Sequence, residues 1–212
     1  WSNGDPVTAD DFVQSWRRAL SPELASSYAY FLFPIRNAEA FNSGKITDPA
    51  ALGLATPDPR TLVITLERPT PYLPLLAANC SWYPVNPRVL TRLGGLTNRA
   101  NPWLTPANFV GNGAFTLKEW TPNARIVVDK NPRYWDAGKV RLNQIVFYPT
   151  DNPDTEERNF RAGQLHLTSA VPLSKIPTYR AQDAARLHSD PFLQTFFIRF
   201  NTTKAPFNNP KV

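Results

Sequence analysis

Apolar positions near the start of the chain follow a helical spacing. Phe12, Val13, Trp16 and Leu20 fall at i, i+1, i+4 and i+8, which gathers them on one helical face. Turn chemistry precedes them in Asn3-Gly4-Asp5-Pro6, because Gly accepts positive φ while Asn and Asp bond their own backbone. Thr8 fits an N-cap, and Asp11 supplies the short carboxylate version of a capping box. Ser21-Pro22-Glu23 reads as a fresh N-cap with Pro in the first helical position. Residues 38–43 predict a short helix closed by Gly44 as its left-handed end.

The period then changes. In TLVITLE, Leu62, Ile64 and Leu66 alternate with Thr61, Val63 and Thr65, so a strand with one aliphatic face is predicted after the turn PDPR. Pro69, Pro71 and Pro74 exclude a long helix or central strand and leave room for a brief helical turn from Pro74. A short helix is predicted over 87–93. Residues 114–120 and 125–129 form a hairpin around Thr121-Pro122-Asn123-Ala124. QIVFYP reads as a compact buried strand. Further on, the pattern predicts a helix over 154–162 ended by Gly163, a short strand over 164–168, a helix over 176–185 and a long aromatic strand over 192–201. Elements alternate irregularly and no repeat of 20–50 residues is visible, which makes the fold class mixed α/β.

Composition narrows the class. With 42% hydrophobic and 19% charged residues, the chain is not a disordered polyelectrolyte. Its 22 prolines in 212 residues, against 9 glycines, favour many short elements joined by stiffened loops. Met is absent, and neither a signal peptide nor an apolar run long enough to cross a membrane occurs. The expectation is an internal piece of a longer protein, with any localisation signal of the parent cut away. Cys80 is the lone cysteine, so no internal disulfide forms, and its expected place is that of a small buried apolar residue. The net charge is +6, yet the basic residues are dispersed and Arg17-Arg18 is their longest run. That pattern reads as a solvated mixed surface and not as a nucleic-acid-binding face.

Catalytic patterns are sparse. Gly111-Asn112-Gly113 holds no nucleophile and no G-x-S-x-G occurs. His166 and His188 lie 22 residues apart without metal-ligand spacing. Glycine-rich phosphate loops are missing as well. Asp151, Asp154, Glu156 and Glu157 cluster at the start of a predicted helix, where acids compensate the dipole. The aromatic residues concentrate around 28–33, 82–83, 134–135 and 192–200, suited to a core or to a ligand cleft.

Five ordered stretches, WSNGDPVTADDFVQSWRRALSP, TLVITLERPTPYLPLLA, GNGAFTLKEW, IVVDKNPRYWD and APFNNPKV, resemble the periplasmic oligopeptide-binding proteins of ABC peptide importers, the family 5 extracellular solute-binding proteins. The resemblance runs from Trp1 to Val212. It implies a two-lobed periplasmic-binding-protein type II-like fold with an extra accessory domain, of which this chain carries part. Residues 1–85 would be most of the accessory domain, 86–193 part of the first binding lobe, and 194–212 the hinge strand and the start of the second. The implied function is to bind short peptides and deliver them to a membrane permease. No catalysis, cofactor or nucleic acid is implied, and the parent would be a monomer, periplasmic or lipid-anchored. Ligand-binding positions carried over from the family are Tyr28, Phe31, Ser169, Ala170, Phe192, Gln194 and Phe197. The stretch at Ser169-Ala170 is one residue shorter than the family pattern, so Ala170 offers no side-chain bond. Family members serving dipeptides, murein peptides, sugars or nickel complexes keep those solutes open, and a glycosidase or peptidase is the enzymatic alternative.

Overall fold

A computed structural model describes residues 1–192 and 194–211. It divides into two compact units, Trp1–Pro149 and Thr150–Val212.

The first unit begins with helix α1, Ala9–Leu20. Asp11 closes the cap by accepting the Thr8 backbone N–H at 2.9 Å, and the same buried carboxylate accepts the Trp1 indole N–H at 3.0 Å. Val13, Trp16 and Leu20 are buried as their spacing requires. Ser21 does not start a new helix. Its N–H bonds Arg18 O at 3.1 Å and finishes α1, its hydroxyl holds the Glu23 N–H, and Ala25 at φ 50 turns the chain away. A 3-10 turn at Ala29–Leu32 and helix α2, Ala38–Asn42, follow, with Gly44 left-handed at φ 75 just beyond.

Strands β1, Leu54–Asp58, and β2, Thr61–Ile64, pair antiparallel across the PDPR turn. Gly53 sits where a Cβ would run into the Thr65 carbonyl oxygen and approach Arg36 Cβ at 2.9 Å. That close approach lets Gly53 bridge the Arg36 carbonyl and the Thr65 N–H at 3.0 and 2.7 Å. The core lies in this region: Val13, Trp16, Leu20, Ala29, Leu32, Ile35, Ala38, Phe41, Leu52, Leu54 and Trp82 form one buried cluster. Its aromatic centre is Trp16 edge-on to Trp82 at 5.0 Å.

Prolines punctuate the elements in one recurrent way. Asp48-Pro49, Asn86-Pro87, Asn101-Pro102 and Asn152-Pro153 each put an Asx side chain at the cap and Pro just inside. The cap accepts an orphan N–H, and Pro has none to lose. Helix α3, Leu73–Leu76, has Pro74 inside its first turn without an Asx cap, while α4, Pro87–Arg92, is the one capped by Asn86. Cys80 is exposed, contrary to the burial expected of it. It opens a 3-10 turn, Cys80–Trp82, whose buried side chain is Trp82, so the bulkier residue takes the interior.

Three antiparallel strands complete the unit in the order β3 (Phe115–Thr121), β4 (Arg125–Lys130), β5 (Gln144–Phe147). Asn123 at φ 60 makes the hairpin turn. The register shifts between Leu117 and Glu119. Among the described residues, strand β5 pairs only with β4, and only Ile145 and Val146 are half-buried in it. It is an edge strand, not the fully buried one its β-branched and aromatic residues predict.

The second unit holds helices α5, Pro153–Arg161, and α6, Ile176–Gln182, with 3-10 turns at Leu173–Lys175 and Ala184–Arg186. The strands expected over 164–168 and 192–201 are irregular among the described residues; Leu193 lies outside those described. A strand needs a neighbour for its N–H and C=O groups, and no strand pairs with either stretch among the described residues.

Candidate functional site

In the first unit, the 3-10 turn at Ala29–Leu32 buries Ala29 and Leu32 and leaves Tyr28 and Tyr30 exposed. Tyr28 stacks on Phe31 at 6.1 Å, and Tyr30 lies 4.5 Å from Phe31. The backbone beneath is pinned, because Phe31 O accepts the Trp82 indole N–H at 3.2 Å. Tyr28 and Phe31, both expected at the ligand, lie in ring contact, and Tyr30 joins them as a third ring.

The second unit is organised around carboxylates. Asn152 caps α5 through the Thr155 N–H at 3.0 Å, and Gly163 at φ 74 reverses the chain after it. The returning segment carries Ser169 and Ala170, both exposed. Glu156 reaches across from α5 and takes both Ser169 donors: the backbone N–H on Oε1 at 2.8 Å and the hydroxyl on Oε2 at 2.9 Å.

One residue on, Glu157 is the one buried residue among the described residues of this unit. Lys175 Nζ lies 2.7 Å from Oε2, the Tyr179 hydroxyl donates to Oε1 at 2.9 Å, and Arg161 Nε stands 3.9 Å away. The bond from Lys175 holds the Glu157 carboxyl below its ordinary value. Burial, with the bond to Glu157, pushes the Tyr179 phenol up. This pair was missed by reading the acidic cluster as dipole compensation. The signal was available: Phe160 and Arg161 lie at i+3 and i+4 from Glu157, on the same helical face.

Beside the network is a cavity of about 470 Å³ lined by Leu165, His166, Leu167, Val171, Tyr179 and His188, among others. Thr168 and Val171 border it, while the intervening Ser169 and Ala170 do not. Both histidines are exposed, and among the described residues no group of three or more His, Cys, Asp or Glu is placed to hold a metal. Phe192, Gln194 and Phe197 are also exposed, with Arg199 lying 5.1 Å over the Phe197 ring. Ser169 and Ala170 thus sit on a built loop, and Phe192, Gln194 and Phe197 on an irregular one. Within the described helices, none is long and apolar enough to cross a membrane.

Comparison with known proteins bears on this arrangement. The periplasmic oligopeptide-binding protein OppA of Escherichia coli K12 is 36% identical over 217 residues, covering 100% of this chain and 38% of that protein. The probable deoxycholate-binding periplasmic protein YgiS of the same organism is 38% identical over 214 residues, with the same coverages. The crystal structure of Haemophilus influenzae OppA in complex with RPPGFSPFR superposes with a TM-score of 0.91 at 35% identity, over 99% of this chain and 40% of that one. The chain therefore spans about 38% of the length of these relatives, and its mixed helix and strand fold is that of part of an OppA-type binding protein. Residues 1–212 match the family described as bacterial extracellular solute-binding proteins, family 5 Middle, and the chain belongs to that family.

Proposed function

We propose that the protein containing this chain is the oligopeptide receptor of an ABC importer, binding short peptides outside the cytoplasmic membrane and passing them to a membrane permease. The observation that carries this reading is the superposition of 99% of the chain on a relative solved with a peptide. In this reading residues 1–85 are accessory domain, 86–193 part of the first lobe, and 194–212 the passage to the second. Tyr28, Phe31, Ser169, Ala170, Phe192, Gln194 and Phe197 face the ligand. Affinity comes from groups every peptide shares: main-chain hydrogen bonds, with hydrated pockets for varied side chains. Ala170 contributes through its backbone alone. Phe192 and Phe197 contribute packing area without a hydroxyl handle. The protein acts as a monomer in the periplasm, or on a lipid anchor, and performs no catalysis and binds no nucleic acid.

Native mass spectrometry of the full-length protein, purified without denaturation and then mixed with di- to pentapeptides, tests this. A ladder of peptide adducts is expected; a bare protein that ignores every peptide contradicts it. A second reading, an amphipathic steroid acid as ligand, is favoured by the 38% identity to the relative whose name specifies deoxycholate and by the hydroxyl-free rings at Phe192 and Phe197. A deoxycholate adduct with no peptide adduct would select it.

A further inference from the structure

We infer that Glu156 is a positioning residue that turns Ser169 into an obligate hydrogen-bond acceptor, so that this point of the site selects an N–H group on the ligand; the assignment rests on the peptide-receptor reading. A serine offers two donors, its backbone N–H and one hydroxyl proton. Both are consumed by the two oxygens of one carboxylate, at 2.8 and 2.9 Å. Bonds to an ionised acceptor are roughly twice as strong as those between neutral groups. A ligand carbonyl would therefore have to displace a charged acceptor with a neutral one, and the exchange runs uphill. A ligand carboxylate would in addition meet the Glu156 charge.

Ser169 is exposed, and its hydroxyl oxygen keeps its lone pairs. With its proton directed to Glu156, it can only accept. Glu156 is held in turn by a fixed stretch of backbone: α5 is capped by Asn152 at one end, and the next residue, Glu157, is locked by Lys175 and Tyr179. The chemical group recognised is thus a peptide main-chain N–H, which orients the ligand as well as holding it.

The test uses the full-length protein, Ala-Ala-Ala and its singly N-methylated analogues, with affinities by calorimetry. In the wild type, one analogue should bind about tenfold more weakly than Ala-Ala-Ala, the effect of one lost hydrogen bond. Ser169→Ala should erase that discrimination. Glu156→Ala should reduce it, because the freed hydroxyl can rotate and donate. A merely structural role for either side chain would change affinity for all analogues alike. Discrimination unchanged in Ser169→Ala or in Glu156→Ala overturns the inference. Should Ala-Ala-Ala not bind the wild type, the peptide reading fails, and hydrogen exchange at the Ser169 amide in the unliganded protein judges the clamp separately. Faster exchange in Glu156→Ala than in wild type upholds it, and equal rates refute it.

Discussion

Trp16→Ala is expected to lower stability by about 3–5 kcal/mol, the usual cost of emptying a buried indole site. Trp16 is 3% exposed. It meets Phe12 at 5.9 Å and Trp82 at 5.0 Å, and its indole N–H donates to the Trp82 carbonyl at 3.0 Å. Truncation opens a cavity and leaves that carbonyl unpaired, two penalties that add. Because Trp82 also anchors the Phe31 carbonyl, loosening it should disturb the Tyr28, Tyr30 and Phe31 rings. Urea unfolding of the full-length protein, followed by circular dichroism, reads the effect. Trp135, 83% exposed, is the control, and its replacement by Ala should change stability by about 0.5 kcal/mol or less. Equal effects at the two positions would mean that the core is not where it is described.

A second large effect is expected at Glu157. Its replacement by Ala removes the acceptor for Lys175 and Tyr179, and should cost about 1–3 kcal/mol at neutral pH. The lower part of that range is the better guide for Lys175, whose side chain is 34% exposed and recovers water. The effect should depend on pH in a defined direction. The folded-state value of Glu157 lies below the unfolded one, first because of the bond from Lys175. Its contribution is therefore complete above the unfolded value and disappears as pH falls through the folded one. Tyr179 runs the other way: its folded value is raised by burial and by Glu157, so its contribution is present below the unfolded value and disappears as pH rises through the folded one. The gap between wild type and Glu157→Ala should be widest around neutrality and close at both extremes. A gap that stays constant from pH 3 to neutrality would show that charge plays no part in it.

What the sequence made legible follows from how locally each element is determined. Helix α1 was readable because cap, face and stop all lie within Thr8 to Ser21. The hairpin was readable because its turn at 121–124 brings its own strands together. Stretches whose partners are distant or absent were not. Residues 164–168 and 192–201 carry strand-like residues, but propensity without a neighbouring ladder leaves the backbone irregular among the described residues of both stretches. Ser21-Pro22-Glu23 has helix-start chemistry, yet the preceding helix claims Ser21 first. At the candidate site, the family resemblance pointed to Tyr28, Phe31 and Ser169 as ligand-facing positions. It could not reveal that Glu156 holds both Ser169 donors, since that contact joins a helix to a loop 13 residues on. Nor could it reveal that an acid in the same run is buried and triply partnered.

The most direct test is a crystal structure of the full-length protein with a bound tripeptide. A peptide main chain is expected within hydrogen-bond reach of Ser169 and Ala170, with an N–H directed at Ser169 Oγ and Glu156 still bonded to that serine. A peptide bound elsewhere, with the 164–171 segment facing solvent, would contradict this placement.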